Sequence, residues 1–148
     1  MTDRSRARSA SRLAAVQALY QLDMEQPPMA RLLDEFHMHR LGAEIEDVEY
    51  ADADRLFFDD VVKGTDARRD EIDGLITQKL AQGWSIARLD KTMLQILRAG
   101  TYELLARADV PRGAAISEYV DVAHAFFEER EAKFVNGLLD AIARDVRV

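Results

Sequence analysis

Apolar residues recur along most of this chain at three- and four-residue steps, and a few sharp breaks divide them into separate stripes. Val16, Leu19 and Tyr20 close the first stripe, which Pro27-Pro28 stops because proline pushes the residue before it out of helical geometry. A short helix is expected from about Met29 to Leu41, with Leu32, Leu33, Phe36 and Leu41 facing inward. Gly42 to Asp54 is rich in acid and has no basic residue, so it reads as a surface loop, with Asp47-Val48-Glu49-Tyr50 its least helical part. Helical spacing resumes at Phe57, Phe58, Val61 and Val62 and again at Ile72, Leu75, Ile76 and Leu80. Gly64 offers a break between these two helices and Thr65-Asp66 an N-cap for the second. Gly83 is placed as a C-cap, and it closes the first half.

From Leu89 to Arg107 the apolar residues Leu89, Met93, Leu94, Ile96, Leu97, Leu104 and Leu105 lie on several sides, which predicts a helix in the middle of the fold. Asp109-Val110-Pro111-Arg112-Gly113 is a turn. Two further stripes follow, first Ile116, Tyr119, Val120, Ala123, Phe126 and Phe127, then Phe134, Val135, Leu138, Leu139, Ile142 and Val146. No stretch alternates with a period of two over a useful length. The pattern therefore predicts an all-α fold of about seven helices in one domain over 1–148, with halves of about 1–83 and 84–148.

Composition changes this picture in four ways. A chain of 148 residues, 48% hydrophobic and 32% charged, is long enough to bury a core and too apolar to be disordered. With no cysteine, disulfides, thiolate nucleophiles and cysteine-bound zinc are excluded. No apolar run has membrane-spanning length and the start lacks the apolar segment of a secretory signal, so a soluble, cytoplasmic protein is expected. The net charge of −7 opposes wrapping nucleic acid over the whole surface, yet it allows a restricted basic site.

Such a site is offered by Arg4, Arg6, Arg8 and Arg12. On a helix Arg4, Arg8 and Arg12 share one face while Arg6 points away, and the basic stripe runs on into the apolar one. The apolar part is expected to dock on a core and the arginine part to project beyond it. Arginine suits phosphate because its planar fork donates two hydrogen bonds and stays charged. Spacing alone leaves two readings open, a phosphate contact and a solvated terminus.

Catalytic patterns are missing. There is no phosphate-cradling glycine loop and no dinucleotide fingerprint. His37 and His39 fall on different sides of a helix and make a poor metal pair. Ser117, Asp121 and His124 share one helix face without a pocket or oxyanion donors, which favours a solvated face over a triad. Arg98 and Glu103 sit in the apolar central helix, where each needs a partner or a path to the surface, and Tyr102 is expected in the core with an acceptor for its hydroxyl. Gly137 is expected to admit a close helix neighbour, and Lys133, Asn136 and Asp140 to line the side opposite Val135, Leu138 and Ile142.

Four blocks together carry a resemblance: the arginines leading into Ala15-Val16-Gln17-Ala18-Leu19-Tyr20, the run Ile96-Leu97-Arg98 to Tyr102-Glu103-Leu104-Leu105, Asp109-Val110-Pro111 followed by Ile116-Ser117-Glu118, and Lys133-Phe134-Val135-Asn136-Gly137. In this order, over nearly the whole chain, they resemble the NusB family of bacterial transcription antitermination factors. The resemblance implies two packed helical sub-bundles, no enzymatic activity and no cofactor or metal. It implies binding of boxA RNA together with NusE, a small-subunit ribosomal protein, in the elongation complex with RNA polymerase, notably on ribosomal RNA operons. Carried over by position, it implies RNA contacts from Arg4, Arg6, Arg8, Arg12, Lys133, Phe134 and Asn136, and a NusE contact from Tyr20.

This chain departs from the family pattern at Arg130-Glu131-Ala132, where an acid followed by Ser or Thr is common, and at Met93-Leu94, where charge is common. A helical protein adaptor and an accessory domain of an RNA-modifying enzyme are the alternatives. The second needs a cofactor-binding catalytic domain, whose pattern these 148 residues do not hold. Exposed apolar helix surface leaves a homodimer and a NusE interface equally open.

Overall fold

The computed structural model describes the backbone of residues 3–41 and 48–147 and the side chains of residues 6–39 and 55–147. Its described residues form seven α-helices, a π-helical stretch and one 3₁₀ turn, without strands. The all-helical expectation is thus met. The chain divides into two compact units, residues 1–66 and 67–148, so the turn at Gly83 lies inside the second unit.

In the first unit α1 spans Asp3–Glu25 and ends without a glycine: Gln26 takes φ 54°, and its N–H donates to Leu22 O at 3.0 Å just before the two prolines. α2, Met29–Phe36, buries Leu32, Leu33 and Phe36 as expected and continues as a π-helix over His37–Leu41. α3 spans Val48–Ala67. It packs on this segment through Phe58, which stacks on Phe36 at 5.5 Å and meets the His37 ring edge-on at 6.0 Å. His37 Nε2 also lies 2.6 Å from Asp59 Oδ1, while His39 is exposed.

Two expectations fail along α3. Val48 to Asp54 is helical, not loop, in keeping with two helix-favouring alanines and with acids near a helix N-terminus, where the dipole suits them. Residues 42–47 of the expected loop, and the Leu41 side chain, lie outside the described residues. Nor does Gly64 break the helix. Val61, Val62 and Thr65 turn to one buried face at the spacing of a continuous helix, which carries Thr65 past any capping position and moves the break to Arg68.

The second unit is built around α5, Lys91–Ala106, buried at every position from Met93 to Leu104. Asp90 caps it, its Oδ1 accepting from the N–H of Thr92 at 2.8 Å and of Met93 at 3.1 Å. α4, Arg69–Lys79, buries Ile72 and Ile76. Gly83, at φ +89°, serves not as a helix cap but as the third residue of a tight turn closed by Trp84 N to Ala81 O at 3.0 Å. α6, Arg112–Phe126, and α7, Glu129–Val146, pack on α5 and on each other.

The charges buried in α5 are partnered. Arg98 makes a two-pronged contact with Asp73, both at 2.8 Å, and Glu103 accepts from the Tyr119 hydroxyl. Tyr102 is buried. Past α7 the Arg147 side chain donates to the carbonyls of Glu103, Leu104, Arg107 and Val110 at 2.6–3.1 Å, closing the end of α5. The close helix approach assigned to Gly137 belongs to Gly100. A methyl group there would stand 2.8 Å from Leu139 Cδ1, whereas one on Gly137 would meet nothing within 4 Å.

Candidate nucleic-acid interface

The arginine stripe of α1 has the expected period and the opposite direction. Arg8 and Arg12 both place their guanidinium carbons over the Phe57 ring of α3, at 4.6 and 4.9 Å from its centroid. Ala7 and Ser11 are buried beside them, and Arg12 is only 3% exposed. At Arg8 and Arg12 the stripe therefore does not project beyond the core, because Phe57 supplies a flat π-face that draws these two side chains inward. Arg8 is half-buried and Arg6, on the other side, is exposed. The Arg4 side chain lies outside the described residues. Tyr20, expected on the apolar stripe, is 41% exposed near the far end of α1.

In the second unit the residues chosen from sequence come together. α7 buries Ala132, Val135, Leu138, Leu139, Ile142 and Ala143 and turns Lys133, Asn136 and Gly137 outward. Its first turn carries Glu129 and Glu131, which suit the positive end of the helix. Phe134 was expected inward. One helical step from buried Val135, it sits instead at the edge of the stripe and is 39% exposed. Phe126, the last residue of α6, is likewise exposed, its ring 6.4 Å from that of Phe127.

Lys133 and Asn136 border a groove between α6 and α7 of about 440 Å³, with Ile116, Val120 and Ala132 in its apolar lining and Ser117 opposite. The side chains of Lys133, Asn136 and Ser117 make no hydrogen bond or ion pair among the described residues. One end of the groove is closed by charge: Arg112 donates to Asp140 Oδ1 at 2.7 Å and Arg144 to Asp140 Oδ2 at 2.7 Å. The Arg112 hydrogen bond, aided by the charges of Arg144 and Arg112, holds the Asp140 carboxyl below its usual range. Such a groove offers a cation and neutral donors and acceptors to a ligand with anionic and hydrogen-bonding edges.

On the other side of α7, Phe134 lines a second, more apolar groove with Trp84 and Arg88. The sequence reading did not select these two residues. The signal for them was an aromatic residue in a glycine turn with an arginine four positions later. Ser117, Asp121 and His124 form no triad; all three are exposed, and His124 Nε2 is 3.8 Å from Glu129 Oε2. Among the described residues no group of three or more His, Asp and Glu could hold a metal ion.

Comparison with known proteins decides the family. Residues 9–144 match the model of the NusB family. The chain belongs to the NusB family. It is 78% identical over 142 residues to the transcription antitermination protein NusB of Novosphingobium aromaticivorans, covering 96% of both chains. With the protein of the same name from Sphingopyxis alaskensis it is 68% identical over 147 residues, 99% of each. Among solved structures, a crystal structure of the antitermination factors NusB and NusE in complex with double-stranded RNA aligns at TM-score 0.78 and 26% identity, over 95% of this chain and 98% of that one. The role of this NusB-family chain is transcription antitermination. None of its described helices is long and apolar enough to cross a membrane.

Proposed function

We propose that this chain is a cytoplasmic, non-enzymatic antitermination factor that binds the boxA segment of nascent RNA together with NusE and keeps RNA polymerase transcribing, notably through ribosomal RNA operons. The observation that carries the reading is the outward strip of α7, where Lys133, Phe134 and Asn136 stand exposed and Lys133 and Asn136 make no hydrogen bond or ion pair among the described residues. Lys133 meets phosphate, Asn136 hydrogen-bonds a base edge, and Phe134 stacks on a base. In the first unit Arg6 and Arg8 supply cationic contacts, with Arg4 preceding them on the same helix. Arg12, buried on Phe57, serves RNA by holding that helix in place. Tyr20 meets NusE. The relationship to a NusB whose crystal structure contains NusE and RNA supports the pairing of these partners.

The test is a titration of the full chain with a labelled boxA oligoribonucleotide and with a scrambled RNA, each with and without NusE. Preferential binding of boxA, strengthened by NusE, is expected. Equal affinity for both RNAs under all four conditions would show a nonspecific binder or an adaptor and overturn the proposal.

A further inference from the structure

The second groove of the 67–148 unit lies between the turn that follows α4 and the start of α7, and has a volume of about 620 Å³. Its walls include Trp84, Met93, Phe127 and Phe134, and its rim carries Arg88 and Arg130. Trp84 is 52% exposed, a large apolar surface left in water by a side chain that usually buries most of its area. The indole is also held in place. Arg88 lies over its ring at 5.1 Å and donates to Gly83 O at 2.5 Å, tying the arginine to the turn that presents the tryptophan. Arg130 is 93% exposed on its side chain.

Two acids share the rim, Asp90 and Glu131, and the second is paired with Arg130. Asp90 is committed to the N-cap of α5. Glu131 Oε2 lies 3.5 Å from Arg130 Nε, is buried, and accepts no hydrogen bond.

We infer that this groove is a stacking site for an unpaired nucleobase of the bound RNA, with Trp84 and Phe134 as stacking surfaces and Arg88 and Arg130 facing the flanking phosphates. The inference rests on the RNA-binding reading above and extends it to Trp84, Arg88 and Arg130. RNA is the occupant because exposed aromatic faces beside guanidinium groups are what single-stranded nucleic acid requires. The groove also adjoins the Lys133–Asn136 strip through Phe134, so one strand can engage both sides of α7.

Trp84 is the sole tryptophan of the chain, so its emission reports on this groove directly. The experiment titrates the full chain with a single-stranded boxA oligoribonucleotide, following RNA anisotropy and tryptophan fluorescence together. Quenching of Trp84 in step with binding is expected. Trp84→Ala should weaken binding about 5- to 100-fold with little change in salt dependence, since no charge is lost. Trp84→Phe, which keeps an aromatic face, should recover most of that loss, and thermal melts confirm folding of both variants. Arg88→Gln should instead lower the salt slope by about 0.7.

Binding that leaves the emission unchanged and is indifferent to Trp84→Ala would overturn this inference while sparing the RNA-binding reading. Absence of any RNA binding by the unaltered chain would overturn both. Loss of NusE affinity in Trp84→Ala with RNA affinity intact would assign the groove to the protein partner and equally overturn the inference.

Discussion

The arginine-bearing start of α1 and the outward strip of α7 carry comparable promise as sequence and opposite fates as structure. The first has four arginines, yet two of them lie over Phe57 and one of those is buried. The second has a single lysine, flanked by Phe134 and Asn136, and all three remain open to solvent. The number of charges therefore measures a site poorly. What matters is how many charges stay within reach of solvent, because a guanidinium buried over an aromatic ring, as that of Arg12 is, has lost both its hydration and its freedom to reach phosphate.

Arg12→Ala should break this contrast most strongly. It removes a buried cation over Phe57 and is expected to cost about 2–4 kcal/mol of stability in chemical denaturation. Arg6→Ala should leave stability within about 0.5 kcal/mol. Equal costs would mean that the two arginines do not differ as described. At the other site Lys133→Ala should weaken boxA binding about fivefold and reduce the salt slope by about 0.7, with no change in melting temperature. An unchanged slope would remove Lys133 from the phosphate contacts.

The openness of α7 is tested by its glycine. Gly137→Ala adds a methyl group to open space in a helix and should stabilise the protein by up to about 1 kcal/mol. Gly100→Ala should destabilise it by about 1 kcal/mol, because crowding against Leu139 outweighs the gain in helix propensity. If both changes had the same sign, the assignment of the close helix approach to Gly100 would fail.

The smallest effect is that of pH. The folded state holds the Asp140 carboxyl below its usual range, so this stabilisation is complete above the unfolded value near 4 and is lost as pH falls through the lowered folded value. Melting temperatures measured from pH 5 to 2 should therefore drop slightly more in the unaltered protein than in Asp140→Asn. Identical curves would show that the Arg112–Asp140 pair does not close the groove in solution.

Much of the fold was legible because helix burial is a local, periodic property. The stripes through Val16, Leu32, Ile72, Ile116 and Leu138 all face inward, and the apolar run after Leu89 is the buried central helix. The errors cluster where a local signal had to be weighed against its surroundings. Gly64 and Thr65 read as a break and a cap, but packing of Val61, Val62 and Thr65 on one face carries the helix through them. Gly137 and Gly100 have the same residue type on neighbouring helices. Only the position of Leu139 tells which one a helix approaches.

The candidate site divides the same way. From the sequence alone came the helices, the family, and the exposed Lys133 and Asn136 opposite a buried stripe, since these depend on chain order and helical period. Whether Arg8 and Arg12 point to solvent or onto Phe57, and whether Trp84 and Phe134 line one groove, was decided only by the tertiary structure. Those facts join residues far apart in the chain, and a period along one helix says which residues share a face without saying what that face meets.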